Sequence, residues 1–298
     1  MDARRRQRRK SGRTFAGVLA ATLPAGAGGL AGCEALEAAK NGESILAIFA
    51  QPTPAEAAVD SINPYDADKR ARGTTLLLNA PFGGEGPYLK VYRQHLSDPD
   101  PAVRAVAARA LGRHGAPEHV PLLAPLLDDE DRGVRFEAAR SLQRLHNESG
   151  IDALVNASDI RKEPDPDVRA EACTALGQYA DPRVLNSLIA SLDDEHLSVS
   201  MAALESLRTL TGQDLPDRPK DWLAWRESTT APFAGRRPYV YPVFSRDREW
   251  VEYLPFVPGP PNETAAAPVG MPPAAGSPLP APVPATPSST PTKSPPPR

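Results

Sequence analysis

An all-α fold, a solenoid of about five stacked two-helix hairpins, is the class this sequence predicts, and three observations predict it. One helix-length phrase returns four times: VRAVAARALG from Val103, VRFEAARSLQ from Val134, VRAEACTALG from Val168 and VSMAALESLR from Val199. The valines are spaced by 31, 34 and 31 residues, and self-similarity at a period of ~20 to 50 residues marks an array of supersecondary units. Within each phrase the valine and the residues four, five and eight positions on (Val103, Ala107, Ala108, Leu111; Val168, Ala172, Cys173, Leu176) fall on one stripe of a 3.6-residue helix. Helix-boundary residues recur in phase with the phrase.

Asp100, Asp131 and Asp165 stand three residues before the valine, where an aspartate accepts hydrogen bonds from the unpaired amides of a helix start. Pro101 and Pro166 follow at the first helical position, where the missing N–H costs nothing. His196 replaces the aspartate in the last unit. Gly112 and Gly177 are expected to end their helices in the left-handed conformation that glycine tolerates. A shorter apolar run precedes each phrase, over residues 88–96, 120–127, 151–155 and 184–192, so each unit reads as a hairpin. Shifted back by 34 residues, the pattern also fits Lys69, Arg70, Gly73 and Leu77, with an outer helix over residues 54–62. Five units over 54–212 result, the first degenerate, as end units facing water are.

These phrases resemble the HEAT-repeat family, in the variant with VRxxAxxALG inner helices that also occurs in phycobilin lyase subunits. An acidic residue six before the arginine completes the resemblance: Asp98 with Arg104, Asp129 with Arg135, Glu163 with Arg169. In that family such residues form an acid and arginine ladder between adjacent inner helices. The last unit is expected to break it, since Asp194 faces Ser200. The three arginines therefore have two readings. They bind acids of their own or the neighbouring unit, or they form a stripe where a carboxyl-bearing partner docks, because a guanidinium fork suits bidentate carboxylate recognition.

Residues 1–32 follow secretory logic: a basic start, MDARRRQRRKSGR, then an apolar run rich in Ala and Gly from Phe15 to Leu30. Leu30, Ala31, Gly32 and Cys33 resemble the lipobox of bacterial lipoproteins, which implies a lipid attached to Cys33 and a membrane-anchored protein of a bacterial cell envelope, the membrane unspecified. The apolar run, with Pro24 inside it, is shorter than the ~20 residues that span a bilayer. Loss of 1–32 removes seven positive side chains and Asp2, a change of six that takes the formal charge from −3 to −9. An acidic mature chain argues against nucleic acid, whose binding rests on Lys and Arg neutralising phosphates.

Residues 33–53 form a spacer, with Ile45 to Phe49 expected to dock on the first unit. The Gly-bearing segment 79–90 lacks the GxxxxGK[ST] pattern and no strand precedes it, so it reads as the turn between the first two units. After the array, residues 213–257 hold a cap and an aromatic extension. Trp222 and Trp225, three apart on a short helix, share a face and either cover the last hairpin or anchor a partner. Tyr239, Tyr241 and Val243 alternate, followed by Trp250, Tyr253 and Phe256, the pattern of a small hairpin that Pro242 confines to an edge. From 258 to 298 the chain is Pro, Ala, Ser and Thr with almost no charge, the composition of a disordered, semi-stiff tail.

No chemistry-bearing constellation emerges. His95, His114, His119, His146 and His196 show no ligand spacing, so neither a metal nor a cofactor is expected. Cys173 lies on the apolar stripe and reads as a small buried hydrophobe. The expected function is protein-binding scaffolding without catalysis, toward an unidentified partner. A structural tether acting through the Pro-rich tail is the alternative. A bilin-lyase activity is implied only by the shared repeat phrase, and secretion would separate it from cytoplasmic phycobiliproteins.

Overall fold

A computed structural model describes residues 53–243, 247, 249–253 and 265–272. The spacer with Cys33, the remainder of the aromatic extension including Phe256, and the end of the tail lie outside the described residues. Eleven α-helices occur among the described residues, and none is long and apolar enough to cross a membrane.

Ten of them make five hairpins. The first helices are α1 (Pro54–Ser61), α3 (Gly86–His95), α5 (Val120–Leu123), α7 (Ile151–Ala157) and α9 (Pro182–Ser191). The second helices are α2 (Ala67–Asn79), α4 (Pro101–His114), α6 (Arg132–Leu142), α8 (Pro166–Leu176) and α10 (Leu197–Thr211). Each second helix packs on the next, α2 on α4, α4 on α6, α6 on α8 and α8 on α10, so they form a continuous inner row. The eleventh helix, α11 (Pro219–Ser228), closes the end against α9.

The apolar stripe builds the core as its period requires. Val103, Ala107, Ala108 and Leu111 are fully buried, as are Val134, Ala138, Ala139 and Leu142, then Val168, Ala172, Cys173 and Leu176. Their alanines let the backbones approach. The first helices contribute the larger side chains, among them Tyr92, Leu123, Leu154, Leu185 and Leu188, each apolar burial contributing about 1.5–3 kcal/mol. Unit three has the most irregular outer helix: α5 is one turn flanked by 3₁₀ turns at Pro117–His119 and Ala124–Asp128. Pro121 and Pro125 explain this, since a proline ring removes an amide donor and crowds the preceding turn.

The caps form at the expected aspartates. The Asp100 side chain accepts from the Ala102 and Val103 amides, Asp131 from Val134, and Asp165 from Asp167 and Val168. His196 sits at the N-cap of α10 with no side-chain hydrogen bond there.

Gly112 and Gly177 correct the expectation of left-handed caps. Gly112 lies inside α4, and Gly177 follows α8 with φ −57°, a right-handed conformation. The reason for glycine is proximity. A Cβ on Gly112 would stand 2.6 Å from Ser141 Oγ and 2.8 Å from Ser141 Cα, and one on Gly177 would stand 2.8 Å from Ser206 Oγ. In both cases the serine hydroxyl crosses to the preceding inner helix, Ser141 donating to the Ala108 carbonyl and Ser206 to the Cys173 carbonyl, each at 2.8 Å. Units two and four thus supply the glycine, and units three and five the serine. A left-handed glycine does cap a helix at Gly212, at φ +72° after α10. Overpacking costs typically 1–3 kcal/mol, so Gly112→Ala should lower the unfolding free energy by about 1–3 kcal/mol in denaturant titration, whereas Gly133→Ala, where the added Cβ meets only Asp131 Oδ1 at 3.0 Å, should cost less.

The extension also departs from expectation. Residues 236–243 lie outside any helix, and among the described residues they show no pairing with Trp250 and Tyr253, which lie in a 3₁₀ turn at Trp250–Tyr253. Their partner lies further on: the Tyr241 amide donates to the Ala266 carbonyl at 3.2 Å. Residues 265–272, assigned to the tail by composition, are seated against the array, with Pro268 buried and a parallel bridge between Val269 and Leu145. Backbone pairing needs only extended chain, which Ala and Pro supply, so composition does not reveal it.

Candidate interaction face

Each inner helix begins beside the turn that precedes it, and this junction is where Arg104, Arg135 and Arg169 lie. The Arg104 Nε and Nη2 donate to both carboxylate oxygens of Asp129 at 2.8 Å. Arg135 forks onto Glu163 at 2.7 and 3.1 Å, and Arg169 onto Asp194 at 2.8 and 3.1 Å. Each arginine therefore reaches the acid of the following unit. The acid six residues before it contributes its backbone carbonyl instead: Arg104 Nη1 donates to Asp98 O, Arg135 Nη1 to Asp129 O, and Arg169 Nη1 to Glu163 O, each at 2.9 Å.

Two rungs were not foreseen. Arg70 forks onto Asp98 at 2.8 Å, which the match of Arg70 to the repeat phrase signals. Asp194 is the acceptor of the fourth rung, and the ladder ends in the last unit as expected, because Ser200 has no guanidinium and its hydroxyl donates to the Leu197 carbonyl at 3.2 Å. Every acid also fixes its own turn, accepting the amide two residues later at 2.9 Å: Asp98 from Asp100, Asp129 from Asp131, Glu163 from Asp165, and Asp194 from His196.

Burial decides between the two readings of these arginines. The side chains of Arg169 and Asp194 are only 1% and 3% exposed, and those of Arg104 and Asp129 are both 10% exposed. The forks are committed within the array, which supports the structural reading of this stripe over the docking one.

Burial works to raise the Asp98, Asp129 and Asp194 carboxyls, but the arginine fork and the backbone amide each accepts from outweigh it and hold all three below their usual range. An unfolded aspartate titrates near ~3.9. Since the folded values are lower, the native state binds fewer protons, and this stabilisation is complete above the unfolded value and drains as pH falls below about 4 through the folded ones. The urea midpoint should accordingly stay level on this account from neutral pH to about 5 and fall below about 4; a midpoint that rises on acidification contradicts the ladder.

The side chains left at the surface lie elsewhere on the inner helices. Phe136, half-buried on α6, sits between the Arg132 and Arg140 guanidinium carbons, at 5.9 and 5.7 Å from its ring centre. Arg109, with a half-exposed side chain, pairs with Glu137 across α4 and α6 at 2.6 Å, and Arg132 pairs with Asp165 and Asp167 at the start of α8. Val106 adds partly exposed apolar surface on α4. Arg109 and Arg140 share the seventh place of the repeat phrase, but Arg132, Val106 and Phe136 have no repeated letter at theirs, so the row as a whole does not stand out in the sequence.

The tryptophans separate in role. Trp222 is fully buried, its indole N–H donating to the Pro216 carbonyl at 2.8 Å. Trp225 meets it edge to face at 6.0 Å and is partly exposed. Of the pair, Trp222 is a cap side chain with no surface to offer.

Cys173 is fully buried, and burial pushes its thiol up to about 12. Because the thiolate is the reactive form, the native thiol should resist a maleimide at pH 7 and react once the chain is unfolded in guanidinium; rapid native labelling contradicts the burial. His114 rests on the Leu78 carbonyl at 2.6 Å, against the glycines of the 79–90 turn. Among the described residues no group of three or more His, Cys, Asp or Glu side chains is placed to hold a metal ion.

The HEAT repeats family matches residues 89–159 and 158–221. No curated protein matches the chain. Among solved structures, a designed armadillo repeat protein is 16% identical, with 60% of this chain and 89% of that one covered at a TM-score of 0.43. The complex of CpcE and CpcF of phycocyanin lyase from Nostoc sp. PCC7120 is 22% identical, covering 54% and 77% at 0.36. Human deoxyhypusine hydroxylase is 18% identical, covering 52% and 84% at 0.28.

Proposed function

We propose that this chain is a lipid-anchored, non-catalytic scaffold of a bacterial cell envelope that binds another protein through its inner helices. HEAT repeats support the scaffold reading, since stacked hairpins bury one face of each unit against its neighbours and leave a long surface for a partner. The observation that carries the choice of face is the row around Phe136, where an aromatic ring between two guanidiniums has the composition of an interface anchor. The lipobox at Leu30 to Cys33 supports the anchor, and a durable one, since bacterial lipoproteins carry more than one acyl chain and two membrane signals hold stably where one does not.

Crosslinking in intact cells, with the captured protein identified by mass spectrometry, tests the partner. Phe136→Ala with Arg140→Glu should lose the crosslink while keeping wild-type helicity, and Arg109→Glu should weaken it. Unchanged capture rejects this face. Cys33→Ala should abolish incorporation of labelled palmitate and release the chain from washed membranes; retained label rejects the anchor.

A further inference from the structure

The seat of residues 265–272 has features of a docking site as well as of a tail contact. Its grip is on backbone. The Val269 amide donates to the Arg144 carbonyl at 2.8 Å, and the His146 amide donates to the Val269 carbonyl at 2.9 Å. Strand addition of this kind takes affinity from main-chain hydrogen bonds and specificity from a few side-chain positions. Here the specific position is Gly270. It stands at φ +87°, and a Cβ there would lie 2.3 Å from Pro117 Cγ and 3.1 Å from the His146 carbonyl. The chain carries Ala-Pro-Val twice, at 267–269 and 281–283, but only the first is followed by glycine; Pro284 follows the second. A proline ring fixes φ near −65°, so the second copy does not fit the register that the first one fills.

About 20 residues separate Val243 from Ala265, a length that spans up to ~70 Å when extended. Exchange of the segment between two molecules would keep every contact of the seat, which is the low-cost route to a dimer that swapping of an identical element offers.

We propose that Leu145, His146 and Pro117 form a strand-docking seat specific for extended Pro-Val-Gly, and that it takes this segment from a second copy of the chain as well as from within its own. The seat is separate from the Phe136 row, so it stands or falls independently of the partner proposed above.

Full-length Gly270→Val empties the seat without touching it, and Val269→Pro, which removes the amide that Arg144 accepts, does so by a second route. A fluorescent peptide of residues 265–272 should bind either variant saturably and bind the wild-type chain at least tenfold more weakly, while the same peptide with Gly270→Val should not bind. In sedimentation velocity over a concentration series, wild type should dimerise and both variants should not. Absence of peptide binding to both variants overturns the seat. Peptide binding without a wild-type dimer, or a dimer that persists in the variants, overturns the second copy as its occupant.

Discussion

Replacing Arg169 by alanine is expected to destabilise the chain by about 3–5 kcal/mol, the cost of leaving a buried charge uncompensated. Asp194 is the stranded partner. Its side chain is 3% exposed, and without the guanidinium it keeps only the His196 amide at 2.9 Å and a longer contact with the His196 ring at 3.5 Å. Arg169 Nη1 also holds the Glu163 and Pro164 carbonyls at 2.9 and 3.0 Å, so the variant loses the turn before α8 together with the link to unit five. At roughly 2–4 °C per kcal/mol for a domain of this size, the midpoint of thermal unfolding should fall by about 6–20 °C. Arg70→Ala should cost less, because its side chain is 13% exposed and water screens what the fork no longer does. Equal losses at the two positions would mean that burial does not set the strength of a rung.

Trp222→Ala is expected to cost about 3–5 kcal/mol, the range for emptying a buried aromatic site. The indole is fully enclosed and its N–H is bonded to Pro216, so truncation leaves both a cavity and an unpaired carbonyl. The loss should begin at the end of the array. Solenoids are stabilised by nearest-neighbour interfaces, and α11 covers α9 of the last unit, so hydrogen exchange should rise first in α9 and α10 and last in α4. Trp225→Ala, at a partly exposed ring, should cost clearly less. Uniform exchange throughout the array would contradict the role of α11 as a cap.

The fold was legible because its determinants are periodic. Valine, small residues and leucine at helical spacing became the buried inner stripe, and the three aspartates became caps. What escaped the sequence is contact between units. Nothing in the letters of Gly112 tells a left-handed cap from a close approach, and the distinction came only when Ser141 stood against it. The ladder arginines were visible, but the letters left open whether each meets the acid of its own unit or of the neighbouring one; the fork goes to the acid 25 or 28 residues after it, which is nearest in space. The seat of Val269 was hidden for another reason: it is made of backbone, which composition does not report. In the Phe136 row the Arg109 and Arg140 position repeats, but the place of Phe136 itself is alanine in units two and four, so periodicity passed over it.

Successive hairpins are fastened by buried arginine forks running from one unit to the next. A double-mutant cycle on Arg104 and Asp129, read by urea unfolding of wild type, Arg104→Met, Asp129→Leu and the double variant, tests it directly, because contacting residues couple by about 0.5–3 kcal/mol while distant ones add. The ladder predicts a coupling of at least about 1 kcal/mol, with the double variant more stable than the sum of its single losses allows. Strict additivity would show that Arg104 and Asp129 do not join units two and three.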